Sequence, residues 1–245
     1  MAFEYELELL RKLISESKRI LFFTGAGIST ESGISDYRSQ GGVYERYQPV
    51  TIQEFLADEE SRIKFWQRKK DFYAQLASAQ PNAAHQAITK LEQAGKLKGV
   101  ITQNIDGLHQ AAGTRNVLEL HGTNLEIICL SCKKIEPYTK VETRLKQGEK
   151  IPLCKSCGGL LKTNTISFGQ ALDGDVLKRA FEWARDSDLL IAVGSTLVVE
   201  PAASIPRRAK EYGAKLVIIN RETTPLYTFA DLNIGASAGL ILGQA

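Results

Sequence analysis

Short apolar stretches alternate with amphipathic segments along most of the chain, and this alternation constrains the fold more than any other feature. The first stretch reads RILFFT, and comparable stretches follow at 98–102, 116–119, 188–193 and 215–219. Between them, segments such as 82–95 and 175–187 place apolar residues at helical spacing. Strands that alternate with helices in this way predict an α/β fold, a doubly wound parallel sheet of the Rossmann-like type with helices on both faces.

Two segments interrupt the alternation. Residues 41–80 are rich in aromatic and charged residues at helical spacing, and residues 126–162 contain all four cysteines around a polar stretch. We therefore predict a discontinuous Rossmann-like large domain made of residues 1–40, 81–125 and 163–245. The helical insertion (41–80) and a zinc-ribbon insertion (126–162) are expected to form a small domain.

Small or polar residues follow four of the apolar stretches. They lie at 25–27, 103–106, 194–196 and 220. In a parallel sheet such positions lie at the carboxyl edge, where ligands bind, and small residues let a ligand approach the backbone. Turn chemistry explains any one of these clusters alone, but four in succession favour a nucleotide-sized ligand.

The first of these turns departs from the dinucleotide-binding pattern. Gly25 and Gly27 match the start of G-x-G-x-x-G, but Thr30 occupies the place of the third glycine. An acidic residue on a second strand about 20 residues further on, which a dehydrogenase uses to hold the ribose, is also missing. The sequence therefore favours a nucleotide site but disfavours an ordinary NAD(P) dehydrogenase.

Composition and charge exclude several classes of protein. Apolar residues make up 43% of the chain, charged residues 24%, and the net charge is only +3. This balance is too mild to argue for nucleic acid, and no apolar run approaches the ~20 residues of a membrane span. The N-terminal stretch MAFEYELELL carries three glutamates and does not resemble a secretory leader. We expect a cytoplasmic protein with neither a membrane nor a direct nucleic-acid partner.

The four cysteines form two C-x-x-C pairs separated by twenty-one residues, namely Cys129, Cys132, Cys154 and Cys157. Two such pairs suit a tetrahedral zinc site with four thiolates, which is structural because no position is left open. Two disulfides, or one redox-active pair, are the alternatives. An intracellular chain disfavours the first, and the second leaves one pair unexplained. A zinc ribbon can also bind nucleic acid, but the aromatic and basic stripe that favours this role is missing.

Six stretches and the two cysteine pairs, taken together, resemble the sirtuin family of NAD-dependent protein deacylases, in its bacterial and archaeal form. Besides the two cysteine pairs, they read GAGISTESGISDYRS, TQNIDGLHQAAG, ELHG, FGQAL, GSTLVVEPAA and IINRETTP, in the order of the family, from residue 24 to about residue 225. The resemblance implies NAD and a structural zinc ion as cofactors and an acetylated protein or peptide as partner. It implies removal of acetyl groups from lysine, giving nicotinamide, O-acetyl-ADP-ribose and free lysine. The alternatives are sirtuin-like ADP-ribosyl transfer to protein and removal of other acyl groups.

The resemblance also implies roles for individual residues. His121, one of three histidines, is the catalytic base for a ribose hydroxyl, because an imidazole accepts protons near neutral pH. His85 and His109 are given packing or capping roles. The residues implied to bind the cofactor are Gly25, Ala26, Gly27, Asp36, Tyr37, Arg38, Gln103, Asn104, Asp106, Gly194, Ser195, Thr196, Asn220, Arg221 and Ala236. Capping of the following helix is the alternative role for Asp106.

The peptide is expected to enter as an added strand between two segments, 168–170 and 198–200. The substrate-binding residues are Ile166, Phe168, Gly169, Val198 and Val199; simple core packing is the alternative for Ile166 and Phe168. The chain departs from the family at Tyr37, Thr163 and Gln170, where Phe, Pro and Glu are usual.

The acyl preference is a further expectation. Gln67 and Lys70 are aligned with a Tyr-x-x-Arg pair by which some sirtuins read succinyl or malonyl groups. Because Gln67 and Lys70 lack the phenol and the guanidinium fork, we expect acetyl to be preferred over succinyl.

Overall fold

The computed structural model describes residues 3–37 and 42–245. Its strands are β1 (Ile20–Thr24), β2 (Leu97–Thr102), β3 (Val117–Glu119), β4 (Gly122–Cys129), β5 (Ile135–Pro137), β6 (Leu161–Thr165), β7 (Leu189–Val193), β8 (Lys215–Ile219) and β9 (Leu232–Ile234). Its α-helices are α1 (Glu4–Glu16), α2 (Val43–Arg46), α3 (Ile52–Ala57), α4 (Glu59–Ser78), α5 (Ala83–Gln93), α6 (Leu108–Ala111), α7 (Thr139–Lys146), α8 (Gly174–Asp186), α9 (Ser204–Glu211) and α10 (Ala238–Leu242). Two 3₁₀ helices span Ala26–Ser32 and Tyr227–Phe229.

The large sheet contains six strands in the order β3-β2-β1-β7-β8-β9, and all of its strand pairs are parallel. If the six strands of this sheet alone are numbered 1 to 6 in chain order, their order in the sheet is 3-2-1-4-5-6, as in the Rossmann fold. The order reverses between β1 and β7, so the crevice where ligands bind in such sheets opens at their carboxyl ends. The predicted doubly wound sheet is thereby confirmed.

Both faces of this sheet are covered, which explains the continuous apolar strands. In β1, Ile20 and Phe22 belong to a core that includes residues of α1, α5 and α10. Leu21 and Phe23 point into a second core with residues of α8 and α9. All four side chains are fully buried. The well-packed sheet therefore supports the loops at its edge.

The helix that follows the aromatic segment begins at a side-chain cap. The Oδ1 of Asn82 accepts a hydrogen bond from the Ala84 N–H at 3.0 Å, and the Asn82 N–H donates to Nδ1 of His85 at 3.3 Å. This reciprocal pairing satisfies two backbone donors at the start of α5. It also fixes the orientation of His85, which is fully buried.

A smaller antiparallel sheet, with the order β5-β4-β6, lies in the segment that contains the cysteines. Its core is shared with the helical segment, because Phe55 of α3 and Phe65 and Trp66 of α4 pack in one cluster with Ile127 and Leu161. The two chain segments that interrupt the large domain thus bury one common apolar core. No helix within 3–37 or 42–245 has the length and apolar character needed to cross a bilayer.

Candidate active site

A cavity of about 500 Å³ lies above the carboxyl ends of β1, β2, β7 and β8. All four strand-end clusters singled out in the sequence contribute to its wall. Of the residues implied to bind cofactor, substrate or a proton, the cavity is lined by Gly25, Ala26, Gly27, Asp36, Tyr37, Gln103, Asn104, His121, Ile166, Phe168, Gly169, Gly194, Ser195, Thr196, Val199, Asn220, Arg221 and Ala236.

Two of the implied residues do not line this cavity, and a third is not among the described residues. Asp106 lines a much smaller neighbouring pocket, together with Tyr37 and Asn104. Val198 is 53% exposed and does not line the cavity. Arg38 lies outside the described residues.

The turns after β1 and β7 approach each other so closely that side chains do not fit between them. A Cβ on Gly25 would lie 2.7 Å from the Gly194 carbonyl oxygen, and one on Gly27 would lie 2.7 Å from the Gly194 Cα. Gly194 itself has φ +60, which favours glycine. Glycine is therefore required at these positions, because the backbones of the two turns are in contact where the strand order reverses.

Two of the three backbone donors of the turn after β1 are used within the protein. The Gly25 N–H donates to the Val193 carbonyl at 3.0 Å, and the Gly27 N–H donates to the Gly194 carbonyl at 2.9 Å. These two amides are thus committed to β7 and its turn. The Ala26 amide, at the start of the 3₁₀ helix, is the donor left to face a phosphate.

The imidazole of His121 has a fixed tautomer. Its Nδ1 lies 2.9 Å from the Gln103 carbonyl oxygen, which can only accept, so Nδ1 carries the proton and Nε2 has a free lone pair. Burial lowers the pKa of His121 from its usual 6.5, and the backbone hydrogen bond opposes this shift. The ring lines the cavity as a neutral base with Nε2 available.

Side chains at the end of β2 are locked by hydrogen bonds. The Gln103 Nε2 donates to Ser195 Oγ at 2.8 Å and so joins β2 to the β7 turn. Ser29 Oγ donates to Asp106 Oδ2 at 2.7 Å and accepts from Asn104 Nδ2 at 3.2 Å. Burial raises the pKa of Asp106, and the hydrogen bonds from Leu108 and Ser29 oppose the rise. Asp106 Oδ1 accepts from the Leu108 N–H at 3.0 Å at the start of α6, so the predicted alternative role as a cap is present.

Two buried histidines lie beneath these residues. Thr24 Oγ1 donates to Thr102 Oγ1 at 2.8 Å, so Nε2 of His109, 3.0 Å from the same Thr24 oxygen, must be the donor to it. His85 accepts through Nδ1, as described above, and therefore carries its proton on Nε2. The two rings lie 4.8 Å apart between centroids. Burial lowers the pKa of His85 to about 4 and that of His109 to about 3, so both are neutral at neutral pH.

Three aromatic side chains, Tyr37, Tyr44 and Phe168, form a row in the wall of the cavity. The ring centroids of Tyr37 and Tyr44 are 5.2 Å apart, and those of Tyr44 and Phe168 are 6.0 Å apart. Burial raises the pKa of Tyr37 to about 12, so its hydroxyl stays protonated. The tyrosine found where the family usually has phenylalanine thus retains an apolar packing role.

The segment predicted to contact the peptide is held by backbone hydrogen bonds on both sides. The Ile166 N–H donates to the His121 carbonyl at 2.9 Å, and the Phe168 carbonyl accepts from the Ile52 N–H at 3.0 Å. Phe168 is 44% exposed, as a residue at an open groove should be. Of the two departures here, Gln170 lines the cavity, whereas Thr163 is fully buried with its Oγ1 3.0 Å from that of Thr165.

The two residues aligned with the acyl-reading pair do not line the cavity. Gln67 and Lys70 are exposed on α4, and Gln67 hydrogen-bonds Asp71 at 3.4 Å. Arg68 and Lys69 line the cavity instead. The helix turns about 100° per residue, so a shift of one position moves a side chain from solvent to the cavity wall. The expected preference for acetyl over succinyl, which rested on the missing phenol and guanidinium fork at Gln67 and Lys70, stays a prediction.

Further cavity residues were not anticipated. They come chiefly from the helical segment and from the stretch after β6: Thr30, Tyr44, Pro49, Val50, Phe65, Ile105, Ala171 and Leu172. Only the aromatic enrichment of residues 41–80 pointed toward them.

The four cysteines meet in one cluster. All four Sγ atoms lie within 4.8 Å of one another, with Cys129 and Cys157 at 3.5 Å and Cys132 and Cys154 at 3.8 Å. Four sulfurs about 2.3 Å from a tetrahedral zinc ion would be spaced by roughly 3.8 Å, whereas a disulfide needs about 2.05 Å. The thiols are free, and the donor set fits a structural zinc ion.

A doubly wound sheet, a cavity at its switch point, a fixed neutral imidazole and an S₄ cluster define an enzyme of the nucleotide-binding class with a small metal-binding domain. The Sir2 family model matches residues 25–201. The chain belongs to the Sir2 family, the sirtuins.

Individual relatives agree along nearly the whole chain. The chain is 45% identical to an NAD-dependent protein deacetylase of Thermodesulfovibrio yellowstonii over 94% of this chain and 90% of that protein. It is also 45% identical to an NAD-dependent protein deacetylase of Rhodopseudomonas palustris, over 97% of this chain and 94% of that protein. A solved Sir2 structure with a deacetylated p53 peptide and 3′-O-acetyl ADP-ribose aligns with a TM-score of 0.90 and 36% identity, covering 100% of this chain and 97% of that one.

Proposed function

We propose that this protein removes acetyl groups from protein lysines in an NAD-dependent reaction that yields nicotinamide, O-acetyl-ADP-ribose and free lysine. The observation that carries the proposal is the neutral His121 imidazole, whose Nε2 lone pair is free in the same cavity as the Gly25–Gly194 contact. A base and a backbone cradle for a dinucleotide thus share one site. Relatives described as NAD-dependent protein deacetylases support this choice of reaction.

The cofactor supplies a ribose–nicotinamide bond whose cleavage makes C1′ electrophilic. The cavity residues fit such a group, because the backbone turns after β1 and β7 line the cavity and Gln103 and Ser195 present polar atoms nearby. His121 accepts a proton at Nε2 from a ribose hydroxyl, and the Gln103 carbonyl keeps the ring in the tautomer that can do so. Tyr37 and Phe168 present apolar surface that excludes water from the reacting atoms.

The peptide is proposed to lie along residues 168–170 and 198–200 as an added strand, which needs little sequence specificity. The exposed Phe168 and Val198 fit an open groove at this place. The Sir2 structure with a bound peptide supports the same class of partner. The division into a discontinuous large domain and a small domain, at the boundaries predicted above, is part of this proposal.

We place the activity in the cytoplasm, where a reducing environment keeps the four thiols available for zinc. Direct nucleic-acid binding is not part of the proposal.

Mass spectrometry of an acetylated peptide incubated with the zinc-loaded protein and NAD tests the function. We expect loss of the acetyl group from the peptide, with one nicotinamide and one O-acetyl-ADP-ribose formed for each acetyl removed. A peptide or protein that instead gains ADP-ribose would identify a transferase. Reduced nicotinamide, seen by its absorbance, would identify a dehydrogenase, and a folded, metal-loaded protein that consumes no NAD would overturn the proposal.

A further inference from the structure

We propose that Glu31 is a positioning residue for the cofactor, because its carboxylate joins the 3₁₀ helix after β1 to the first turn of α10 and so holds two parts of the cavity wall together. Glu31 does not itself line the cavity, and its effect on NAD passes through the residues next to this contact. The inference rests on the proposed function, because the ligand it concerns is the NAD of that reaction.

The carboxylate of Glu31 hydrogen-bonds two residues that lie 206 and 208 positions further along the chain. Its Oε2 accepts from the Gly239 N–H at 2.6 Å, and its Oε1 accepts from the Oγ of Ser237 at 3.3 Å. Gly239 lies in the first turn of α10, where the helix leaves its own N–H groups without partners. Hydrogen bonds to a charged acceptor are stronger than those between neutral groups, so this contact joins the two segments firmly.

The glycine at position 239 makes the contact possible. A Cβ there would lie 2.8 Å from Oε2 of Glu31, which is too close for the carboxylate to keep its place. Glycine inside a helix lowers stability compared with alanine, because the unfolded chain has more freedom to lose. Gly239 therefore costs α10 some stability and leaves the space that the carboxylate occupies.

Both ends of the contact adjoin the cavity wall. Thr30, which precedes Glu31, lines the cavity together with the turn after β1. Ser237 and Ala238, which precede Gly239, line the same cavity. If the contact between Glu31 and Gly239 were lost, two parts of the wall that are distant in sequence could move relative to each other. A cofactor that touches both parts would then have to order them when it binds, and this costs affinity.

Other contacts keep the two segments folded without this carboxylate. The Nδ2 of Asn82 donates to the Ile28 carbonyl at 2.7 Å and to the Oγ of Ser32 at 3.0 Å, which ties the 3₁₀ helix to the start of α5. The side chain of Ile28 belongs to the same apolar core as Ile241 of α10. Loss of the Glu31 carboxylate is therefore expected to loosen the cavity wall and to leave the protein folded.

Calorimetric titration of the zinc-loaded protein with NAD tests the proposal, and nicotinamide release gives the KM for NAD and for an acetylated peptide. We expect Glu31→Ala to raise both the Kd and the KM for NAD by about 5- to 30-fold, the effect of losing hydrogen bonds to a charged group in an exposed place. The KM for the peptide should stay within about twofold, because the contact is made on the cofactor turn. Glu31→Gln keeps a carbonyl oxygen for the Gly239 N–H and should recover most of the NAD affinity.

Glu92→Ala is the matched control. The carboxylate of Glu92 also accepts two hydrogen bonds, from the N–H groups of Arg115 and Asn116, both at 2.9 Å. None of these three residues lines the cavity. Glu92→Ala should therefore leave the Kd for NAD unchanged, although it removes a carboxylate with the same kind of partners.

Gly239→Ala breaks the same contact from its other side, because the added Cβ displaces the carboxylate without removing it. This variant should weaken NAD binding by itself but add little in a protein that already carries Glu31→Ala, since both changes remove one interaction. If Glu31→Ala does not fold, the NAD affinity of Gly239→Ala decides the matter. Gly174→Ala is its control, because a Cβ at that position meets nothing within 4 Å.

Wild-type affinity for NAD in folded Glu31→Ala, a parallel rise in the KM for the peptide, or additive effects of Glu31→Ala and Gly239→Ala would overturn this role. These outcomes leave the deacetylase proposal intact, because that proposal is judged by the acetyl group lost from the peptide. NAD binding that depends on Glu31, in a protein that deacetylates no peptide, would instead support the role and overturn the proposed reaction.

Discussion

The Nδ1 atom of His121 lies 2.9 Å from the carbonyl oxygen of Gln103, and this contact determines which nitrogen of the ring can act as a base. The proton is on Nδ1, so a substitution that keeps this hydrogen bond but lacks Nε2 separates positioning from proton transfer. Asn can place its Nδ2 donor near the Gln103 carbonyl but offers no imidazole base. We expect His121→Asn to lower kcat/KM for an acetylated peptide by about 10²- to 10⁴-fold, the usual contribution of a general base. Near-normal nicotinamide release would contradict this role, and an unchanged midpoint of thermal unfolding serves as the folding control.

The same imidazole predicts a pH dependence. Burial lowers the pKa of His121, so the active neutral form persists below the usual value of about 6.5. We expect kcat/KM to be flat from pH 8 to about 6.5 and to fall only at lower pH, as the base becomes protonated. This fall in kcat/KM at low pH is measured from nicotinamide release, over the pH range in which the protein remains folded. A fall in kcat/KM centred well above the usual histidine pKa of about 6.5 would show that another group is the base.

The contact between the β1 and β7 turns predicts a steric effect on cofactor binding. Gly27→Ala would place a Cβ 2.7 Å from the Gly194 Cα, which forces the two turns apart. We expect NAD binding to weaken by about 5- to 150-fold, because overpacking of this kind typically costs about 1–3 kcal/mol. Gly174→Ala, where a Cβ meets nothing within 4 Å, is the control and should bind normally. Equal NAD affinity of the two variants, measured by calorimetry, would argue against the turn as the cradle.

The buried histidine pair predicts a loss of stability in acid. An unfolded imidazole takes up a proton near pH 6.5, but His85 does so only near pH 4 in the folded protein. As pH falls through this window the unfolded chain binds protons first, so the free energy of unfolding decreases. Above pH 6.5 this contribution is complete. One imidazole with such a shift accounts for about 3 kcal/mol.

His85→Gln removes this titration. We therefore expect the difference in unfolding free energy between the wild-type protein and the variant to narrow between pH 7 and pH 4. Urea unfolding at several pH values measures it. A difference that stays constant over the range would show that His85 does not titrate as its burial implies.

How much of this site could be read from the sequence depends on the kind of residue. Gly25, Gln103, Gly194 and Asn220 were placed correctly because the carboxyl ends of parallel strands share one edge of a sheet, whatever the loops do. The cysteine cluster followed from spacing alone. In both cases a local sequence pattern determines where the residues lie in the fold.

Side chains whose direction depends on helix rotation or loop path were not predictable in this way. Lys69 and Lys70 are neighbours with the same chemistry, yet one lines the cavity and the other faces solvent. Asp106 turns away into a neighbouring pocket because Ser29 and the start of α6 hold its carboxylate. Strand β9 was missed because the polar Asn233 separates Leu232 from Ile234, so the stretch lacks the continuous apolar run that marked the other strands of the large sheet.

We expect zinc binding to affect catalysis, because the cysteines and a residue of the cavity wall pack in the same apolar cluster. Cys129 and Cys154 belong to the same apolar cluster as Phe65 and Trp66, and Phe65 also lines the cavity. Removing zinc with a chelator should therefore loosen α4 as well as the cysteine turns, and the deacetylase activity should fall together with the metal content. The two tryptophans of the chain allow this to be followed by fluorescence, because Trp66 is buried in this cluster whereas Trp183 packs against the core of the large sheet.

We expect chelation to shift the emission of the wild-type protein to longer wavelength and to leave a Trp66→Phe variant nearly unchanged. Metal analysis should give one zinc per chain before chelation. Because four thiolates leave no open coordination position, re-addition of zinc should restore both signals without changing the reaction. Full activity in a metal-free protein, or an emission shift that persists in Trp66→Phe, would show that the cysteine cluster and the cavity are not coupled through this core.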